Sequence, residues 1–433
     1  MKSKFNQLGI SRNLLQSAAK TVVSVSVLAV VANVAPGVAI AQSAGSLDTT
    51  FGTQGIVTTT PASLGGSATT LTAIEESNGD LAVVAGISIP SAGSGNEVFG
   101  LVRYTPNGTL IGTTTASFVT NGLNVPSAVA VQSNGDIVVV GTAATGFDQA
   151  DEIAIARFTP SGQLDSTFGK AGLVTTTLPA NPHFTTGLAS VTAVLAQPNG
   201  QILVGGFVGS CCRNSPAATV LVRYNSNGSL DTTFGTGGIA MVPNAVTDPA
   251  ALALLSNGDY LAVSLGAVVE FSSTGALQPA VTVGAVQTAI QSGSGTALFQ
   301  PNGDYVIAQI GPGVGRRGTD AQVFRFSESG VADSTFSSTP FEFGANTETE
   351  PQAIALQSNG QIVVGGLTNA RNTPITGGLA RLDSNGELDA TFAGSGSLAS
   401  AQVVSGLLIQ IDGKIVAVGG IGSNLALARY LSN

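Results

Sequence analysis

Charge is scarce in this chain: Asp, Glu, Lys and Arg make up 9% of its 433 residues, against about 25% in an average soluble domain. Tryptophan is absent, histidine occurs once and cysteine twice. The lone histidine, His183, excludes a histidine-rich metal centre. A Ser-His-Asp or Cys-His catalytic group would have to be built on it. Asn-Gly-Asp recurs at Asp80, Asp136, Asp259 and Asp304, but isolated carboxylates on separate turns do not assemble the oxygen shell that calcium takes. No metal and no cofactor are expected. After the first forty residues, no uninterrupted apolar run approaches the ~20 residues of a membrane helix.

What the chain has in abundance is glycine, 56 residues of it, together with Thr, Val and Ala. Low charge with β-branched residues and tight turns reads as packed β-structure, not as a disordered chain. One sentence recurs seven times: an apolar run, a Gly turn, a second apolar run, a variable loop, an Arg-aromatic strand, another Gly turn, then Leu-Asp-x-Thr-Phe. The first turn falls at Asn78-Gly79, Asn134-Gly135, Asn199-Gly200, Asn257-Gly258, Asn302-Gly303, Asn359-Gly360 and Asp412-Gly413. The second turn contains Gly45, Gly108, Gly162, Gly228, Gly275, Gly330 and Gly386. Asn-Gly between apolar runs marks a hairpin, because both residues accept positive φ.

Read as strands A to D, each unit is a four-stranded antiparallel sheet, with the Leu-Asp-x-Thr-Phe segment taken as strand D. Strand B is apolar on both faces (Ile137 to Val140, Ile362 to Val364), so it must be covered from both sides. Sheets stacked on copies of themselves form a β-propeller. The seventh unit is divided: Ala428-Arg-Tyr-Leu-Ser-Asn433 aligns with Val222-Arg-Tyr-Asn-Ser-Asn227 and stops before the turn glycine, whereas Gly45-Ser-Leu-Asp-Thr-Thr-Phe51 supplies what should follow. The expected fold is all-β, a seven-bladed propeller closed by pairing the N-terminal strand with the C-terminal blade. Unit four is degenerate, with Glu270 and Gln278 in place of the Arg and Asp, and unit one departs between Gly108 and Leu123.

The N-terminus reads as an address. Lys2, Lys4, Arg12 and Lys20 precede an apolar stretch from Thr21 to about Val34, and Ala39-Ile40-Ala41 follows Pro36-Gly37. Basic, apolar and small-x-small regions are the parts of a secretory signal. The expected organisation is therefore a signal peptide over 1–41 and a propeller over 42–433, exported to the periplasm, cell surface or medium. From residue 42 onward the chain has 12 Lys plus Arg against 25 Asp plus Glu, a net charge of −13. That surface repels phosphate backbones and offers no basic cluster to anionic lipid. Neither nucleic acid nor a membrane span is expected, and the expected state is a monomer.

The text resembles the delta-60 repeat proteins of bacteria. The resemblance rests on Ala156-Arg-Phe-Thr-Pro-Ser-Gly-Gln-Leu-Asp-Ser-Thr-Phe-Gly169, on Val222-Arg-Tyr-Asn-Ser-Asn-Gly-Ser-Leu-Asp-Thr-Thr-Phe-Gly235, and on Gln197-Pro-Asn-Gly-Gln-Ile-Leu-Val-Gly-Gly206. It implies an exported, propeller-like repeat protein, of a family with no activity assigned to it as such.

Recurrent polar residues fit a structural role. Arg103, Arg157, Arg223, Arg325, Arg381 and Arg429 precede the aromatic, and Asp165, Asp231, Asp333 and Asp389 follow eight residues after their Arg. Asp48 would face Arg429, and Ile111 leaves Arg103 without this partner. Such pairs, if partly exposed, are worth about 1 kcal/mol each. Gln132, Gln197, Gln300, Gln357 and Gln410, with Glu76 in the same phase, recur near the end of strand A, placed to bond turn backbone, the alternative being that they line one end of the channel. Adjacent Cys211 and Cys212 are candidates for a vicinal disulfide in an exported protein; two free thiols or bridges to another chain are the alternatives. His183, Arg213, Arg316, Arg317, Arg371, Asp320 and Glu350 share the face of the variable loops, but no catalytic or cofactor-binding group stands out. The leading expectation is a binding module for a protein or glycan. The alternatives are an extracellular hydrolase or lyase acting on carbohydrate or lactone, and a structural surface component.

Overall fold

All seven turns expected between strands A and B join two antiparallel strands in the computed structural model of the chain. The structure describes residues 43–90, 96–119, 122–144, 152–178, 188–209, 217–243, 249–263, 268–278, 295–312, 319–344, 348–369 and 374–432. Repeat three shows the full pattern. Leu188–Ala196 (strand A) pairs with Ile202–Gly209 (B), B with Ala217–Tyr224 (C), and C with Ile239–Pro243 (D), all antiparallel.

Each A–B turn has the same length, occupying 76–80, 132–136, 197–201, 255–259, 300–304, 357–361 and 410–414. In repeat two the Asn134 side-chain oxygen accepts the Asp136 N–H at 3.1 Å, and Gly135 sits at φ 88°. An Asx bond followed by a left-handed residue closes a hairpin that most other residues would strain. At the opposite end of strand B, the B–C gap runs from two residues (422–423) in repeat seven to eight (89–96) in repeat one.

Glycine in the middle of strand B has a second cause. Strand A carries a register shift in five repeats, as between Val191 and Ala193. The bulge brings its carbonyl close to the facing strand-B residue. A Cβ on Gly141, Gly206, Gly366 or Gly419 would lie within 2.1 Å of a strand-A carbonyl oxygen.

Among the described residues the strands form six sheets, none closed on itself. One has eight strands: repeats one and two are joined by a single parallel bridge, Glu97 to Leu123. Strand B is apolar on both faces because each face enters a different core cluster. Leu81, Val83 and Ala85 pack against Val416, Val418 and Leu427, whereas Ala82 and Val84 pack with Ile137 and Val139. Seven such clusters occur among the described residues, each shared by two repeats; the one holding Leu81 and Val416 joins the last repeat to the first.

Three details correct the sequence reading. The Leu-Asp-x-Thr-Phe segment is not strand D: it makes one bridge to strand C (Tyr224 to Leu230 in repeat three) and then turns. The fourth strand follows some eight residues later, as Leu173–Thr176, Ile239–Pro243, Ser397–Ser400 and Ile56–Thr59. The Asp causes this, because its carboxylate takes the N–H two residues on and curls the backbone. Among the described residues, only repeat one continues straight from turn to strand, over Leu110–Ala116, and it lacks that Asp. Finally, repeats four and five contribute three-stranded sheets among the described residues. In repeat five Pro340 has no N–H to give, and Phe341 makes a lone bridge to Ala321.

The N-terminal segment completes the last repeat. Ile56 to Thr59 pair with Leu425 to Ala428, so that the sheet runs from Ile56–Thr59 through Asn424–Tyr430 and Ile415–Ile421 to Val403–Ile409. Gly45 N–H donates to the Leu431 carbonyl at 2.8 Å, and Leu431 N–H to Ser46 at 2.9 Å. These bonds reproduce the intact turn of repeat three, where Gly228 donates to Asn225 and Asn225 to Ser229.

Candidate functional site

The recurrent Arg is a hook between repeats. In repeat two, Arg157 Nε donates to Asp165 Oδ2 at 2.8 Å, its guanidinium lies 4.4 Å from the Phe168 ring centre, and its Nη1 donates to the Ser226 carbonyl of the next repeat at 2.6 Å. Arg223 does the same with Asp231, Phe234 and Ser273, and Arg325 with Asp333, Phe336 and Ser384. Arg381 repeats it with Asp389, Phe392 and Ser432. Arg429 reaches Asp48 at 2.9 Å, Phe51 at 4.5 Å and the Pro106 carbonyl of repeat one at 2.7 Å. Backbone reinforces each hook: the residue after the Phe donates to the neighbouring turn, as Gly52 to Asn107 and Gly169 to Asn227, both at 2.9 Å.

Most hooks are buried rather than partly exposed, so the expected value of about 1 kcal/mol per pair is too small for the loss of one partner. Arg381 is 2% exposed and Asp48 3%. An ion pair out of water is costly to break from one side, because the remaining charge stays uncompensated. For Asp48, Asp165, Asp231 and Asp389, burial pushes the carboxyl pKa up. The Thr hydroxyl and N–H bonds outweigh it, helped by the Arg, and the net direction is down. Asp333, held by the Thr335 hydroxyl and N–H and by Arg325, falls to about 2.

The exceptions follow the same logic. Arg103, in whose repeat Ile111 stands where the others have Asp, pairs instead with Glu76 and with Asp80 at 3.2 Å, and still reaches Ser161 of repeat two at 2.9 Å. Repeat four has no hook; Gln278 N–H merely donates to the Glu270 carbonyl. The consequence appears one repeat later. Tyr260, at the start of a strand B, bonds Arg223 at 3.0 Å and Gln197 at 3.1 Å, whereas the equivalent Tyr305 hydroxyl is buried without a partner. Burial raises the Tyr305 pKa.

The glutamines also cross between repeats. Gln132 donates to the Gly200 carbonyl at 3.0 Å and Gln357 to Gly413 at 3.3 Å, each a turn of the following repeat. Gln410 instead donates to Glu75 at 3.2 Å. A contact the sequence reading missed lies on strand D: the Thr59 and Tyr104 hydroxyls are 2.7 Å apart, Thr176 and Tyr224 2.8 Å, and Ser400 and Tyr430 3.4 Å. Its signal was the repeated Thr-Thr that ends Ile56–Thr59 and Leu173–Thr176.

Asp320 is buried on the strand Thr319–Phe326, and Glu350 is half-buried on Glu348–Leu356. His183, Cys211, Cys212, Arg213, Arg316, Arg317 and Arg371 lie outside the described residues. Among the described residues, no three His, Cys, Asp or Glu side chains gather as metal ligands, and no helix is long and apolar enough to cross a membrane.

Stacked antiparallel sheets, shared inter-sheet cores and a repeated hook define a β-propeller repeat protein. The family described as a domain of unknown function (DUF5122) beta-propeller matches residues 76–110, 132–168, 197–234 and 357–392. No curated protein matches the sequence. Among solved structures, the chain is similar to the β-propeller domain of the trilobed protease from Pyrococcus furiosus (9% identity, 85% of this chain and 94% of that one, TM-score 0.44). It is also similar to the GH93 α-L-arabinofuranosidase of Fusarium graminearum (10%, 90% and 96%, TM-score 0.43) and to a gluconolactonase from Xanthomonas campestris (12%, 87% and 89%, TM-score 0.39).

Proposed function

We propose that the chain is an exported propeller of the delta-60 type, with seven blades closed into a ring by its N-terminal strand, serving as a scaffold that binds a protein or glycan through its variable-loop end. One observation carries the binding assignment: the two ends of the blades are treated differently. Every A–B turn has one length, and the same end carries the hooks, whose donors are spent on neighbouring repeats. The opposite end varies from two to eight residues between strands B and C. A rigid frame with variable loops at one end is how propellers and other scaffolds carry a recognition site.

Ring closure is supported by the core shared between the last and first repeats and by the bonds of Arg429 to Asp48 and Pro106. Particle images of the purified protein should show a disc with seven-fold pseudosymmetry. N-terminal sequencing of the exported protein should begin at Gln42. For binding, the test is a glycan array and a chromogenic glycoside and lactone panel, run with the wild type and with a variant whose B–C loops are cut to the two-residue form of repeat seven. Saturable binding lost in the short-loop variant supports the proposal. Turnover abolished by changing one carboxylate would replace it with the hydrolase reading.

A further inference from the structure

Outer strands in this fold protect their own free edge, with one exception. The last strand of a sheet has no neighbour on one side, and its outward N–H and C=O groups will pair with a strand that meets them. Ile56–Thr59, Leu173–Thr176, Ile239–Pro243 and Ser397–Ser400 are only four or five residues long. Each also has an outward group of its first residue already taken. Ile56, Leu173 and Ile239 are bridged by the residue three places earlier, Thr53, Lys170 and Thr236. In repeat two the Lys170 N–H donates to the Leu173 carbonyl at 2.8 Å. In repeat six the Ser395 hydroxyl donates to the Ser397 carbonyl at 3.0 Å. These caps follow from the curl that the Asp imposes, which turns the chain back alongside the strand it is about to form.

Repeat one has no such cap. With Ile111 where the others have Asp, the chain runs from the turn directly into Leu110–Ala116. That strand pairs on one side with Glu97–Tyr104, and among the described residues no strand pairs with its other side. It is seven residues long and reads Leu-Ile-Gly-Thr-Thr-Thr-Ala, without the charge or proline that usually blunts a free edge. Leu110 is 37% exposed and Ile111 47%, and Thr115 is exposed too. A Cβ added at Gly112 would meet nothing within 4 Å.

We propose that Leu110–Ala116 is a self-association edge, which pairs antiparallel with the same strand of a second copy across a twofold axis and joins two repeat-one sheets into one. Charge and symmetry select this occupant. From residue 42 onward each copy carries a net charge of −13, so two copies repel over most of their surfaces. An uncharged strand meeting its own copy brings no charge into the contact. Overlapped over its full length, the strand sets Thr113 opposite itself, Ile111 opposite Thr115 and Leu110 opposite Ala116, cross-strand pairs of a stabilising kind. Such a contact uses the same patch on both copies and closes at the dimer. Two strands of this length bury less than the roughly 1,200 Å² of a stable interface, so the dimer is weak and reversible, in place of the monomer expected from the sequence.

Sedimentation equilibrium of the whole purified protein, over a series of concentrations, reads the association. A dimer should appear as concentration rises and should tighten between about 0.05 M and about 0.5 M salt, because screening relieves the repulsion between two acidic copies. Ile111→Glu combined with Thr115→Glu, both at exposed positions, sets like charges opposite each other twice in the dimer and should weaken it about tenfold or more. Ile111→Lys combined with Thr115→Lys should weaken it likewise. An equimolar mixture of the two double variants should associate again, since each Glu then meets a Lys. A protein that stays monomeric at every concentration and salt, a Glu variant that associates like the wild type, or a mixture no better than its parts would each overturn the proposal.

Discussion

Replacing Arg429 by Met should loosen the N-terminal segment while the rest of the molecule stays folded. The substitution keeps the apolar stem but removes the bonds to Asp48 (2.9 Å), Thr50 (3.2 Å) and Pro106 (2.7 Å), and the contact with the Phe51 ring. Breaking a buried pair from one side costs about 3–5 kcal/mol. Asp48 keeps the Thr50 N–H at 3.0 Å, the Thr50 hydroxyl at 2.6 Å and Lys414 at 3.5 Å, which places the effect at the lower end, about 3 kcal/mol. At 1.4 kcal/mol per factor of ten, that is on the order of a hundredfold in an opening equilibrium. Hydrogen exchange of the backbone amides between Gly45 and Thr59 reads that equilibrium directly. Exchange there should accelerate about a hundredfold in Arg429→Met and stay at the wild-type rate in Arg157→Met, which removes the same hook between repeats two and three. An increase below about threefold in the first variant, or an equal increase in both, would refute the claim that Arg429 pins the segment.

Acid should weaken the five hooks built on Asp48, Asp165, Asp231, Asp333 and Asp389. A carboxyl depressed by folding stabilises the protein above its unfolded pKa and loses that stabilisation as pH falls through its folded value. With Asp333 at about 2 and Asp48, Asp165, Asp231 and Asp389 also lowered, thermal midpoints should hold down to about pH 4 and then decline toward pH 2. A decline centred near neutrality would contradict the assignment. Rebuilding the missing hook with Glu270→Arg and Gln278→Asp should give the orphaned Tyr305 hydroxyl a partner and raise stability by about 1–2 kcal/mol, read by urea unfolding; a less stable double variant would show that the fourth junction cannot accept a hook. Gly206→Ala forces a Cβ toward the Ser190 carbonyl, 2.1 Å away, and should cost about 1–3 kcal/mol. Gly112→Ala, with nothing within 4 Å, should change stability by less than about 0.5 kcal/mol; similar losses in both would discount the bulge argument.

Hairpins and partners were readable because they depend on local chemistry repeated in phase. Asn134-Gly135 can do little else between apolar runs, and the eight-residue step from Arg157 to Asp165 fits the width of one turn. Strand D was misplaced because Asp165 serves two masters. One oxygen takes Arg157, which suggests a paired strand, and the other takes Thr167, which curls the chain out of the sheet. Sequence spacing registers the first role and hides the second. The strength of the hooks was also hidden, since burial of Arg381 or Asp48 depends on a neighbouring repeat that lies about fifty residues away in the chain, or at its other end.

The hooks also reshape how this molecule meets others in solution. From residue 42 onward, six of twelve cationic side chains are spent inside them, together with Asp48, Glu76, Asp165, Asp231, Asp333 and Asp389. What is left is six positive groups against nineteen negative ones. Molecules coated so one-sidedly keep one another at a distance in dilute salt and draw cationic partners in quickly. They should lose that mutual avoidance, and clump, as the medium acidifies.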